Sequence, residues 1–161
     1  MKHLCIFLAL SLLFSCKKSG STTQNSSGEL TFSANGTKYD LKGSTIYNDN
    51  SQEGAEFKRY SSSGPYSLEA GNGIPTGSNV TIVFDLNITT LTTGSYTNLN
   101  TEFHNGDLTY INNTGGNVII SNINNGSASG TFSGSYILIP SNPVQTLTIN
   151  DGMFTNIKII N

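Results

Sequence analysis

From residue 29 onward, apolar and polar residues alternate with a period of two between turn signals about ten residues apart, and no stretch sustains a helical period. Successive side chains of a strand point to opposite faces, so this alternation marks half-buried strands and predicts an all-β domain. The first repeat is the cleanest: Leu-Thr-Phe-Ser-Ala, then Asn35-Gly36, then Thr-Lys-Tyr-Asp-Leu. A two-residue type I′ turn needs positive φ at both central positions, which Asn and Gly tolerate. That turn pairs Ala34 with Thr37, Phe32 with Tyr39 and Leu30 with Leu41. All the large apolar residues then share one face, while Thr31, Ser33, Lys38 and Asp40 share the other.

The same reasoning predicts a strand over residues 80–88, with Val80, Ile82, Phe84, Leu86 and Ile88 toward the core. A hairpin turning at Asn125-Gly126 sets Ile123 opposite Ala128, Ser121 opposite Gly130 and Ile119 opposite Phe132. Gly130 and Gly134 flank Phe132 and precede Tyr136 on one face, leaving room for rings or marking bulges. A last hairpin is expected to turn at Asp151-Gly152, with a two-residue and a three-residue loop both leaving mixed pairs. Weaker strands fall around residues 44–47, 56–61, 66–70, 94–97 and 108–112. Roughly ten strands in one domain predict an antiparallel β-sandwich or barrel, between which periodicity does not choose. Ser, Thr, Asn and Gly make up nearly half of the 161 residues and charged residues 11%, a palette of strands and turns rather than helices.

The first residues follow a different logic. Lys2 and His3 precede an apolar run from Leu4 to Phe14, then Ser15 and Cys16: a charged segment, an apolar segment and a small residue before a cut. The run falls well short of the roughly 20 residues that span a bilayer as a helix, so residues 1–15 are read as a cleavable signal peptide. Leu13-Phe14-Ser15-Cys16 resembles the lipobox of bacterial lipoproteins, which implies cleavage before Cys16, attachment of a lipid to its sulfur through a thioether and acylation of the exposed amino group, with palmitate among the chains. Each buried CH₂ contributes ~0.8 kcal/mol, so one acyl chain binds reversibly and two or three hold a protein on a membrane. Residues 17–28 carry no apolar side chain and read as a flexible tether with a reach of about 20 Å. Residues 29–161 are left as a single domain. The acidic run that follows the lipidated cysteine in surface-exported lipoproteins of the Bacteroidota is absent, which favours the periplasmic face of the outer membrane.

Several function classes are disfavoured by composition. A net charge of −2 with scattered Lys and Arg argues against nucleic acid. The mature chain keeps one cysteine, Cys16, and so forms no internal disulfide. Taken together, residues 32–39 as an early Asn-Gly hairpin, Ser129-Gly130-Thr131-Phe132, and Ile149 to Phe154 as Ile-x-x-Gly-x-Phe resemble the uncharacterised small β-rich lipoproteins of Bacteroidota. The resemblance covers most of the chain, rests on fold-building residues and implies no activity, cofactor or catalytic residue.

No linear motif reaches the standard of an active site. Gly71, Gly73 and Gly77 mimic a dinucleotide loop, but that loop works by presenting helix N-terminal amides, and here Pro75 and a strand follow. Residues 48–53 supply oxygen ligands without the acidic spacing and glycine of a calcium loop, so no metal site is assigned. His104 is the only histidine of the mature chain and is read as a solvated loop residue within the polar stretch 98–107. Glu69 and Asp85 fall in strands and form no preferred carboxylate pair. Trp, the usual sugar-stacking platform, is missing. Tyr47, Tyr60, Tyr66 and Tyr96 are the candidate substitutes, although sheet tyrosines more often serve packing. The expectation is a membrane-anchored, non-enzymatic envelope lipoprotein that binds a protein or glycan partner. The alternative is a lipocalin-like carrier of a small apolar ligand, with room beside Gly130 and Gly134.

Overall fold

The computed structural model describes residues 28–42, 53–59, 61–73 and 79–160. Cys16, the leader, nearly all of the tether, the weak strand at 44–47 and the cluster at 48–53, apart from its last residue, lie outside them. The described residues are all-β, with nine strands in one mostly antiparallel sheet: β1 Glu29–Ala34, β2 Thr37–Lys42, β3 Glu53–Arg59, β4 Tyr66–Asn72, β5 Val80–Asp85, β6 Gly94–Asn105, β7 Leu108–Asn124, β8 Ser127–Ile139 and β9 Thr146–Ile159. The strand order is β2-β1-β9-β3-β4-β5-β6-β7-β8, and β8 pairs again with β9. The hydrogen-bonded order therefore closes into a barrel-like ring through β9. One edge of β9 meets β8, and its other edge meets first β1 and then, in parallel, β3. Closure removes most of the free edge that an open sheet would expose.

The first hairpin has the register its sequence dictates, from Glu29 opposite Lys42 to Ala34 opposite Thr37. Asn35 and Gly36 take φ of 48° and 84°, as a type I′ turn requires. Its Phe32 stacks on Tyr39 at 4.8 Å and meets the rings of Phe103 and Phe132 edge-on, each at 5.8 Å. The hairpin thus lays its apolar face over the interior of the ring.

Three expectations change. In the segment 80–88 the regular strand ends at Asp85, because Asn87 turns to φ 54°, although Leu86 stays buried and Tyr66 still exchanges backbone hydrogen bonds with Leu86 and Ile88. In the hairpin at Asn125-Gly126, Ile123 does face Ala128, but Ser121 is an extra residue on β7, and beyond it Ile120 faces Gly130 and Val118 faces Phe132. This bulge sends Val118 and Ile120 inward and leaves Ile119 40% exposed on the surface.

The largest correction concerns Asp151-Gly152, where no turn forms and β9 runs on for 14 residues. Leu147 and Ile149 are buried, then Gly152 and Phe154, then Ile157, so the inward phase switches twice. Phe132 pairs with Gly152 but Gly134 with Ile149, which leaves one extra residue on β9 at 150–151. Ala128 pairs with Ile157 but Gly130 with Phe154, which leaves a second at 155–156, where Asn156 takes φ 53°. A phase switch beside a turn dipeptide reads as a hairpin in one dimension. In three dimensions it is a bulged strand held on both edges.

Among the described residues, side chains pack the interior. Phe32, Phe57, Phe84, Phe103, Phe132, Phe154 and Tyr136 are all at most 3% exposed, joined by aliphatic residues from every strand. Cross-strand glycines seat the rings: Phe132 lies over Gly152, where a Cβ would come within 2.5 Å of the ring, and Phe154 lies over Gly130. The Tyr136 ring occupies the space at Gly134. The room that a lipocalin-like carrier would need at Gly130 and Gly134 is taken by the protein's own side chains.

Candidate functional site

The bulge at Asn150-Asp151 is the most constructed feature of the surface. An extra residue breaks the alternation, so two successive polar side chains, Asn150 and Asp151, are both exposed. The same extra residue appears against β1, where Thr31 pairs with Met153 and Ala34 with Ile149. Ser33 has no Cα partner on β9 across this gap, and its polar groups turn to the carboxylate instead. Its backbone N–H donates to Asp151 Oδ1 and its hydroxyl to Oδ2, both at 2.9 Å. These bonds hold the Asp151 carboxyl below the usual carboxylate range, with the nearby Lys38 ammonium adding a smaller effect. One turn further along, Asn35 acts as a strand surrogate. Its Oδ1 accepts from the Thr148 N–H and its amide donates to the Thr146 carbonyl, both at 3.2 Å.

Two grooves meet at this seam. One, of about 360 Å³, is bordered by Thr31, Ser33, Lys38, Asp40, Asp151 and Met153. The other, of about 370 Å³, runs past Asn35, Thr148 and Asn150, and both share Ser33 and Asp151. Hydroxyl, amide, ammonium and carboxylate groups therefore line a polar trough of two grooves that share the bonded Ser33–Asp151 pair, with the 53%-exposed Met153 as the apolar wall of the first.

His104 is not a loop residue. It lies in β6 between Thr81 on β5 and Thr109 on β7, with its side chain 23% exposed. Its Nε2 is 2.9 Å from Glu102 Oε1, and its Nδ1 is 3.2 Å from Thr109 Oγ1. The polar stretch 98–107 concealed a strand, because Leu99, Thr101 and Phe103 point inward between Asn100, Glu102 and His104. The hydroxyl, imidazole and carboxylate come from one cross-strand pair and one i, i+2 neighbour. They lie on the outer face of the sheet, where Thr109 is flanked by ladder partners on both sides, His104 and Ile139.

The remaining sequence candidates are separate from either constellation. Gly71 lies in β4, paired with Gly54 and Thr81, and Gly73 follows the strand, where Asn72 Oδ1 accepts from the Val80 N–H at 2.6 Å; residues 74–78 lie outside the described set. Glu69 is fully buried on β4 opposite Glu56, and Asp85 accepts from the Ser67 hydroxyl at 3.0 Å. Tyr66 is buried beside the Arg59 guanidinium, and the Tyr96 hydroxyl donates to the Thr92 carbonyl at 2.6 Å. Tyr47 and Tyr60 lie outside the described residues. Among the described residues no group of three or more His, Cys, Asp or Glu side chains is arranged to hold a metal. The only linear trace of the bulge site is the phase switch between Ile149 and Gly152. No family model, curated protein or solved structure matches the chain.

Proposed function

We propose that this chain is an envelope lipoprotein, lipidated on Cys16 after removal of residues 1–15, whose β-domain is a non-enzymatic binding module held near the outer membrane on its periplasmic side. The anchor rests on the leader and the Leu13-to-Cys16 sequence. The module rests on one observation: the interior is occupied by the chain's own rings, whereas the β1–β9 seam presents a polar trough outward. Binding on the outer face requires no internal cavity. In this reading Cys16→Ala abolishes palmitate labelling and moves the protein from the membrane to the soluble fraction. A variant that remains membrane-bound would remove the anchor.

One observation favours a rival reading as a hydrolase, namely the contacts from Thr109 to His104 and from His104 to Glu102. Acyl transfer also requires N–H donors aimed at a developing oxyanion. The ladders on both sides of Thr109 engage the backbone amides that would serve. The expected result is equal, background-level turnover of p-nitrophenyl acetate by wild type and His104→Ala. Turnover lost only in the folded variant would turn the assignment to a hydrolase.

A further inference from the structure

We propose that the bulged seam at Asn150-Asp151 binds a neutral, hydroxyl-rich glycan, a reading that rests on the binding-module function and names its ligand. Bulges re-aim side chains beside functional sites, and this one places an amide and a carboxylate side by side in a trough bordered by a second strand. A carboxylate has about four acceptor positions, and Ser33 occupies one on each oxygen of Asp151. The lone pairs left by these bonds and by the contact with Asp151's own backbone N–H are held in direction by the Ser33 pair on an exposed carboxylate, an arrangement suited to sugar hydroxyls. Lys38 and the Asn150 amide supply donors, the Thr148 hydroxyl serves in either sense, and Met153 offers an apolar surface to the C–H face of a pyranose.

Asp40 is paired with Lys42 at 2.9 Å, which leaves Asp151 and Lys38 in balance along the trough, so nothing there favours uronic-acid or sulfated chains over uncharged polyols.

The test uses the full chain purified in detergent, titrated calorimetrically with malto-, cello-, xylo- and manno-oligosaccharides and, for contrast, with polygalacturonate. At least one neutral oligosaccharide should bind. Lys38→Ala and Asn150→Ala, both at exposed positions, should each weaken binding about five- to tenfold with an unchanged melting temperature. Polygalacturonate should bind no more tightly than the neutral ligand. Failure of every neutral oligosaccharide to bind overturns the proposal, and so does binding that both variants leave intact or a preference for polygalacturonate. The module reading fails on a different readout, His104-dependent ester hydrolysis.

Discussion

Asn35-Gly36 and Asp151-Gly152 are both turn dipeptides set between β-patterned segments, yet the first reverses the chain and the second lies at a bulge within the continuous strand β9. The glycines differ in what they supply. Gly36 has φ +84° and nothing within 4 Å of the position a Cβ would take, so it is needed for backbone conformation. Gly152 does not take positive φ, and a Cβ there would run into the Phe132 ring, so it is needed for space. The preceding residues differ in the same sense. Asn35 adopts the left-handed conformation of the turn, whereas the Asp151 carboxylate is drawn to the N–H and hydroxyl of Ser33, 118 residues away in sequence. A turn dipeptide reverses the chain when its flanks share one phase and lack stronger partners. Here β8 and β1 outcompete the turn.

That contrast is open to direct attack. Gly152→Val should have the largest effect, because overpacking a filled core costs about 1–3 kcal/mol and a branched side chain lies at the upper end. Adding Phe132→Leu should recover part of the loss, since the clash is with that ring. Urea unfolding of the two variants checks both statements. An undiminished stability for Gly152→Val would mean that the segment is not packed beneath Phe132.

Gly36→Val should cost less, about 1–2 kcal/mol, because the penalty is left-handed strain without a steric clash. The Phe132→Leu background should leave that cost unchanged. A melting curve identical to wild type would remove the assigned type I′ turn.

The smallest effect concerns pH. The folded-state pKa of Asp151 is lowered by the Ser33 bonds, so its contribution to stability is fully present above the unfolded carboxylate value of about 3.9 and is lost as pH falls through the lower folded value. Asp151 is exposed, which keeps this contribution small. Ser33→Ala should flatten the acid limb of a melting-temperature-against-pH profile while leaving the neutral region close to wild type. An acid limb identical to wild type would mean that the Ser33 hydroxyl contributes nothing and that the backbone N–H of residue 33 alone holds the carboxylate.

Where alternation ran unbroken, one dimension was enough. The first hairpin is correct in every pair, while the weaker patterns gave less: β4 starts at Tyr66 as expected and runs on to Asn72, and β3 begins at Glu53, ahead of the expected 56. Where a bulge intervened, the reading failed in a regular way. Ser121 shifted the β7–β8 register by one, and the extra residue at 150–151 imitated a hairpin. Bulges are stabilised by partners distant in sequence, here Ser33 for Asp151 and the Ser129 hydroxyl, which accepts from the Asn156 N–H at 2.9 Å. No local pattern records such partners. His104 was misplaced for a related reason: inward Thr101 is polar, so the strand around it lacks contrast between its faces. The seam site shares that fate, since it consists of residues brought together by the bulge.

The most direct test of the bulge that builds this site is a set of interstrand nuclear Overhauser effects in isotopically labelled protein. A continuous, bulged β9 predicts contacts from Met153 to both Thr31 and Thr131, and from Ile149 to both Ala34 and Gly134. Contacts instead between Asn150 and Met153 and between Ile149 and Phe154, with those to β1 and β8 missing, would restore a hairpin at Asp151-Gly152 and dismantle the seam.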